Sequence, residues 1–437
     1  MKNEALQKEP GTEGIVDARE LGTSRMLLLG FQHMFAMFGA TVLVPALTGL
    51  DVSVTLLFAG LGTLLFHWIC KGKVPAFLGS SFAFLAGYWA LAPEGEAHLL
   101  PYACFGVACA GILYLVLAGL IKVFGSKKVM RFFPPIVTGP IIIAIGLNLS
   151  QSAINNCESS WGIALIAIVI VIVCNIWGKG MVKIVPIILG VIGSYLAAFL
   201  TGNVDVEMIR QADWIGQPVN WERTVFAMLQ SPDLSLLITA VITIMPIALA
   251  TMVEHIGDVS AISSTVGKSF MKEPGLHRTL VGDGLATILA SLFGAPANTT
   301  YGENTGVLSL TKVYDPRVVR IAAVFAIVFS FSPKVAALIG AMPAATLGGV
   351  SLVLYGMISA VGVRNIVENK IDFSKSRNVI IAALILVLSI GINFSNAGAI
   401  AFQLGSVTVS LSGLAVGALT GIILNAILPD ADTEGME

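Results

Sequence analysis

The sequence predicts an all-α polytopic membrane protein of fourteen transmembrane helices, arranged as two inverted seven-helix repeats with short strands in broken spans three and ten. Three observations carry that expectation. Of the 437 residues, 56% are hydrophobic and only 12% are charged, where a soluble domain carries roughly 25% charge. The apolar residues fall in continuous runs, not in the alternating segments of about ten residues that build a membrane barrel. Lysine and arginine recur after every second run, as they do where a chain crosses a bilayer repeatedly.

Fourteen crossings of about 22 residues use roughly 308 residues, given that a helix needs about 20 to span the hydrocarbon. No long soluble domain fits in the remainder. The net charge of −1 offers no argument for nucleic acid. The five cysteines, Cys70, Cys104, Cys109, Cys157 and Cys174, include no CxxC pair and read as reduced structural thiols.

In chain order, residues 1–24 are expected to be a cytoplasmic tail. Met1 to Glu20 are polar and mixed in charge, with neither a short apolar core nor a cleavage site, so no signal peptide is expected. Spans are then expected at about 25–48, 52–70, 74–92, 99–121, 132–149, 160–177, 184–202, 234–258, 278–294, 296–311, 318–333, 335–361, 378–394 and 398–427. Lys71 and Lys73 follow the second, Lys122, Lys127, Lys128 and Arg131 the fourth, and Lys179 and Lys183 the sixth. Lys268, Lys272 and Arg278 follow the eighth, Lys312, Arg317 and Arg320 the tenth, and Arg364, Lys370, Lys375 and Arg377 the twelfth. The N-terminal tail adds Lys2, Lys8, Arg19 and Arg25, and only Arg210, Arg223 and Lys334 remain for the opposite face. Because Lys and Arg are retained on the cytoplasmic side, both termini are expected there, in a multi-pass protein of the cell membrane.

Seven spans per half is an odd number, so a second copy must lie upside down relative to the first. Pro135-Ile-Val-Thr138-Gly139 in span five resembles Pro343-Ala-Ala-Thr346-Leu347-Gly348 in span twelve, and Pro75 before Gly79-Ser80-Ser81 resembles Pro296 before Asn298-Thr299-Thr300. The two pairs lie at similar offsets, as an inverted repeat requires.

Spans three and ten are poor helices. Val74 to Phe82 combines Pro75, Gly79, Ser80 and Ser81, and every residue from Asn298 to Gly302 disfavours helix. In lipid, such backbone leaves N–H and C=O groups unpaired, at several kcal/mol each, so it persists only inside protein or beside a watered cavity. Where the two breaks meet, they can pair as short strands and aim helix N-termini into one pocket. Simple kinks are the plainer alternative.

Ionisable residues cluster around these breaks. Glu254, His255 and Asp258 end span eight, Asp283 lies in span nine and Glu303 in span ten. A carboxylate costs roughly 3 kcal/mol at a helix centre, so lipid exposure is disfavoured. Glu254 and Asp258 are four apart and share a helix face. In a desolvated pocket, carboxylates near one another can carry a proton at neutral pH. The plainer reading, helix capping, applies most to Asp258 and Asp283. His33 and His67 read as buried residues bonded to neighbouring helices, and His277 as a loop residue. No GxxxxGK[ST] motif, no HExxH and no zinc-ligand cluster is present, and Gly282-Asp283-Gly284 lacks the second aspartate motif of an intramembrane protease. No catalytic residue, metal or cofactor is expected. Transport driven by an ion gradient remains.

Several stretches together resemble the nucleobase–ascorbate transporter family, and within it the bacterial uracil permeases. They are Gln32-His33-Met34-Phe35-Ala36-Met37-Phe38-Gly39-Ala40, Pro75 to Phe84, Pro274-Gly275-Leu276-His277-Arg278, Asn298-Thr299-Thr300-Tyr301-Gly302-Glu303-Asn304 and Gly348-Gly349-Val350-Ser351-Leu352. The Asn298–Asn304 run is the most specific, and the similarity extends from about residue 25 to 427.

The resemblance implies a core domain from spans 1–4 (25–124) and 8–11 (234–333), and a gate domain from spans 5–7 (125–203) and 12–14 (334–427). Residues 204–233 would form an extracellular loop and 428–437 a second cytoplasmic tail. It also implies proton-coupled uptake of uracil or a related nucleobase by a homodimer. Glu254 and Glu303 correspond to the glutamates that hydrogen-bond the base, and Phe82 and Tyr301 to the residues flanking it. Backbone amides of Phe82 and Gly302 would face its carbonyls, with Ser81 in the same substrate-binding set. His33 and Tyr355 match a link between spans one and twelve, which together with Glu254 and Asp258 is expected to serve proton coupling.

The chemistry of uracil fits such a set. Its N–H donors suit carboxylates and its carbonyls suit amides, so an analogue lacking them leaves buried partners unpaired. One position departs from the pattern: the best-known uracil permeases carry His four residues after the span-eight glutamate, and this chain has Asp258, as purine-transporting relatives often do. A xanthine or uric acid permease is therefore the alternative. An anion exchanger on a related fold is disfavoured by the carboxylates and by the short polar stretch after Leu428.

Overall fold

A computed structural model describes residues 14–404 and 407–429, and it is mostly helical. Helix α1 (Thr23–Thr48) leads into α2 (Val52–Ile69), which opens on Asp51, whose carboxylate accepts from the amides of Ser53 and Val54 at 2.7 and 3.2 Å. The third expected span divides into strand β1 (Leu78–Ser80) and a short helix α3 (Leu85–Leu91). Helices α4 (Leu100–Phe124), α5 (Pro135–Glu158), α6 (Trp161–Ile176) and α7 (Pro186–Leu200) complete the first half.

The second half opens with α8 (Leu234–Val266), which tightens at Met245–Ile247, where Pro246 removes a backbone donor. Then come α9 (Leu276–Leu292), β2 (Asn298–Thr300), α10 (Gly302–Thr311) and α11 (Pro316–Ser330). The chain ends through α12 (Pro333–Gly340), α13 (Ala344–Glu368), α14 (Ser376–Asn393), β3 (Ala399–Leu404), β4 (Val407–Ser412) and α15 (Gly413–Ile427).

Every stretch expected to cross the membrane contains a helix. Among the described residues, α1, α2, α4, α5, α8, α13 and α14 are long and apolar enough to cross a membrane, and α11 with α12, bent by 86°, forms an eighth if counted as one. Helices α6, α7 and α15 are apolar but shorter.

Two expected spans differ in form. Span twelve was expected to run unbroken over 335–361, but α12 stops at Gly340 and α13 starts after Pro343, whose backbone is extended (φ −61°, ψ 142°). Proline has no N–H to continue a helix, and it favours an extended residue before it. Span fourteen was expected as helix over 398–427. Its first part is instead an antiparallel hairpin, Ala399 paired with Ser412 through Leu404 with Val407. The β-branched alternation Val407-Thr408-Val409 suits a strand and not a helix.

The described end of the N-terminal tail is docked against the segment before α11. Ile15 bridges Val313, and the Ala18 amide donates to Asp315 Oδ2 at 2.8 Å. Arg317 reaches both Asp17 and Asp315. The Arg19 guanidinium, 2.5 Å away, holds the Asp17 carboxyl well below the usual carboxylate range.

Packing falls largely into two sets. In one, α4 lies on α9 and α8, and α2 on α11 and α9, with α1 beside α11. In the other, α5 lies on α13, α6 on α7 and α13, and α14 on α15 and α5. The α5–α13 seam depends on small residues: a Cβ on Gly362 would lie 2.6 Å from the Gly139 carbonyl oxygen. Such close backbone approach is how helices associate in lipid, where apolar side chains gain little by leaving hydrocarbon.

Candidate functional site

The two breaks meet as an antiparallel ribbon buried in the protein. Leu78 pairs with Thr300, Gly79 with Thr299 and Ser80 with Asn298. The ribbon continues one bond each way, Ser81 N to Ala297 O at 2.9 Å and Tyr301 N to Phe77 O at 3.0 Å. That register puts Gly79 and Thr299 in the bonded position, so Leu78, Ser80 and Asn298 turn their backbone groups outward, away from the partner strand. A two-stranded ribbon buried in a membrane protein must satisfy those groups from elsewhere.

Side chains of the surrounding helices do so. Thr63 of α2 accepts from the Leu78 amide at 2.9 Å and donates to the Leu78 carbonyl at 3.2 Å. Thr287 of α9 donates to Asn298 O at 2.6 Å. The Asn298 side chain donates to Phe58 O of α2, also at 2.6 Å. His67 Nε2 lies 2.8 Å from Ala76 O, so its partner is the extended stretch before β1 and not the neighbouring helix expected of it.

Tyr301 completes this lacing. Its hydroxyl donates to Ser80 O at 2.8 Å and lies 3.4 Å from Thr41 Oγ1 of α1. Its ring lies so close to Gly79 that a Cβ there would sit 2.6 Å away. The side chain expected to flank the base thus also ties three elements of the crossing together.

The ionisable groups gather beside β2. Thr300 Oγ1 donates to Asp258 Oδ2 at 2.9 Å, and Asp258 Oδ1 would be 3.8 Å from a Cβ at Gly302, the first residue of α10. Glu254 lies one turn earlier on α8 and is partly buried. Behind them, the fully buried His255 and Asp283 pair through Nδ1 and Oδ2 at 3.3 Å, and Thr299 donates to Asp283 at 3.4 Å. Thr251, on the same face of α8, accepts from Tyr114 of α4 at 2.6 Å. The first amides of α10 have no partner within the helix, and their positive end begins at this point.

Phe82 follows β1 and is 6% exposed. Its ring meets Tyr355 of α13 edge-on at 5.7 Å, which places it where the two packing sets face each other. Ser81 is buried beside it.

The link expected between His33 and Tyr355 is not formed here. The Asn304 amide lies 3.1 Å from His33 Nδ1 and donates to the His33 carbonyl at 3.1 Å, tying α1 to α10. Asn304 occupies Nδ1 only, and neither His33 Nε2 nor the Tyr355 hydroxyl has a hydrogen-bond partner among the described residues. For Glu303, the backbone lies in the first turn of α10 and its side chain falls outside the described residues.

Sequence reasoning missed the roles of Thr63, Thr287, Asn298, Thr300 and the His255–Asp283 pair. The run Asn298-Thr299-Thr300 signalled a broken helix, but single-residue partners across the fold leave no mark in spacing.

The chain is similar to known proteins in sequence and in fold. A family model described as a permease family matches residues 24–398. The uracil permease of Bacillus subtilis (strain 168) is 41% identical over 416 residues, covering 92% of each chain. The uracil permease of Bacillus caldolyticus is 39% identical over 427 residues, covering 95% of each. Among solved structures, the murine Solute Carrier 26 family member A9 anion transporter, in its inward-facing state, matches 97% of this chain and 73% of its own at a TM-score of 0.63. At 12% identity, that likeness speaks for the fold alone.

Proposed function

The chain belongs to the nucleobase–ascorbate transporter family, a family of permeases and not of enzymes, and from that premise we propose that it imports uracil together with protons across the cytoplasmic membrane. The observation that carries the reading is Asp258 beside the start of α10, held by Thr300 at the buried crossing, with Glu254 one turn earlier on the same helix.

In this reading Glu254 accepts the N–H edge of the base, with Glu303 as the second carboxylate. The amides of Phe82 and Gly302 donate to its carbonyls, and Ser81 and Tyr301 close the cradle. Phe82 stacks on the ring. A ligand without those donors and acceptors leaves buried groups unpaired, at about 1–3 kcal/mol each, and that is the source of selectivity.

Proton coupling follows from two carboxylates sharing one helix face. A proton shared by Glu254 and Asp258 removes a charge from the site and favours the loaded state. The α1–α4 and α8–α11 set acts as the core domain and moves against the gate domain of α5–α7 and α12–α15. His33, through Asn304, couples α1 to the helix carrying Glu303, and Tyr355 presents the gate's side of the site to Phe82. The functional unit is a homodimer with both termini in the cytoplasm.

Membrane vesicles with an imposed pH gradient test this. Wild type accumulates labelled uracil as the outside is acidified, and Glu254→Gln loses at least ~10-fold of that accumulation. Unchanged pH-driven uptake by the variant refutes the assignment. Asp258, where the best-known uracil permeases carry histidine, favours a second reading as a purine permease. Xanthine displacing labelled uracil more strongly than uracil itself would establish that reading.

A further inference from the structure

A recess lies apart from the crossing, where α4, α8 and α15 diverge on the outside of the molecule. It encloses about 560 Å³, within the roughly 300–1,000 Å³ of small-molecule sites. Leu117 and Leu120 of α4, Met252 of α8, Leu419 of α15 and Phe132 line it, and Lys128 is the one charged residue on its walls. Its rim faces outward, with Leu120 43% and Phe132 47% exposed. The far end is fixed: Asn425 at the end of α15 donates to the Arg131 carbonyl at 3.0 Å.

The segment that carries Lys128 is basic throughout. Lys122, Lys127 and Arg131 are exposed alongside Lys128, and no acidic residue occurs between Glu96 and Glu158. Among the described residues none of these four cations makes an ion pair. An apolar cleft open to hydrocarbon would take any acyl chain with little preference, because lipid tails are as apolar as its walls. Selectivity must come from the cations, which sit where an anionic headgroup would lie.

We propose that this recess binds an anionic phospholipid of the leaflet on the basic face, its acyl chain against α4, α8 and α15 and its phosphate at Lys128, Lys127 and Arg131. A small polar anion would leave the apolar walls uncovered, and an uncharged lipid would leave the cations unmatched. The acidic residues Asp430, Asp432, Glu434 and Glu437 at the end of the sequence match the charge but not the walls.

Native mass spectrometry of the delipidated full chain tests this, with phosphatidylglycerol and phosphatidylcholine of identical acyl chains as probes. Wild type retains phosphatidylglycerol about fivefold over phosphatidylcholine. The ratio falls to near one in K127Q/K128Q/R131Q and is unchanged in K179Q/K183Q, a basic pair elsewhere. Leu419→Trp, which fills the cleft, lowers retention of both lipids, and circular dichroism confirms that each variant is folded. Equal retention of the two lipids by wild type overturns the proposal, as does a preference that survives the triple variant. A preference that appears only after residues 430–437 are removed also overturns it and assigns the cations to the chain's own acidic end. Because the readout is lipid retention, the result is independent of what the protein transports.

Discussion

The β1–β2 crossing and the α5–α13 seam are both buried and both built from small residues, yet they are held by opposite means. At the crossing, backbone groups turned out of the ribbon are met one by one by Thr63, Thr287 and Tyr301. At the seam, two helices satisfy nearly all of their own backbones, Pro140 of α5 being the one missing donor inside that helix, and glycines let them touch. Direct polar ties there are few, chiefly Asn365 to Thr138 at 2.7 Å and Ser359 to Ile143 O at 3.1 Å. The two regions therefore fail differently. The seam is vulnerable to added volume, and the crossing to lost polarity. In the function proposed above, a site that presents carboxylates and amides to a polar ring relies on the crossing's kind of rigidity, and a gate that moves as a unit relies on the seam's.

The largest effect is expected at the seam. A Cβ on Gly146 would press into the Tyr355 carbonyl and the Ser359 side chain, and a backbone carbonyl cannot swing aside as a side chain can. Gly146→Leu should cost about 3 kcal/mol or more, a large part of the roughly 5–15 kcal/mol that holds a protein folded. Thermal unfolding of the purified variant in detergent checks it. A midpoint near that of wild type would mean the helices are not in close contact, and the contrast between the regions would fail.

At the crossing, Asn298→Ala removes a fully buried donor to the Phe58 carbonyl and leaves a small cavity, with an expected loss of about 2 kcal/mol. Because the lost contact ties the ribbon to α2 and does not hold one helix to another, nucleobase binding should weaken more than the unfolding midpoint falls. Calorimetric binding and thermal unfolding of the same sample separate the two. Tyr301→Phe sharpens this further: it frees the Ser80 carbonyl at a cost of about 1–2 kcal/mol, while leaving an aromatic ring in place.

The sequence made some of this legible and hid the rest for identifiable reasons. Breaks at Pro75–Phe82 and Pro296–Gly302 were readable because proline, glycine, serine, asparagine and threonine each oppose a helix for a local reason. The requirement that buried strands pair with each other followed from the cost of unpaired amides. The β3–β4 hairpin was masked because its residues are apolar enough to pass for a span, and apolarity outweighed the two-residue alternation. The His33–Asn304 contact, the His255–Asp283 pair and the docking of Ile15–Ala18 on Val313–Asp315 join residues distant in the chain. Neither helical periodicity nor charge counting reports on such pairs.

The finest test compares one chemical change in both regions. Thr287→Val and Ser359→Ala each delete a hydroxyl that donates to a main-chain carbonyl. In the crossing that carbonyl belongs to Asn298, turned out of the ribbon and buried, so its loss strands an acceptor at about 1–3 kcal/mol. In the seam the carbonyl is that of Ile143, inside α5, where the helix already supplies its bond. Ser359→Ala should therefore change stability by no more than about 0.5 kcal/mol, and uptake not at all. Unfolding midpoints of the two variants measured side by side give the difference directly. If Ser359→Ala proved as costly as Thr287→Val, the seam would depend on its hydrogen bonds as the crossing does, and volume alone would not explain its glycines.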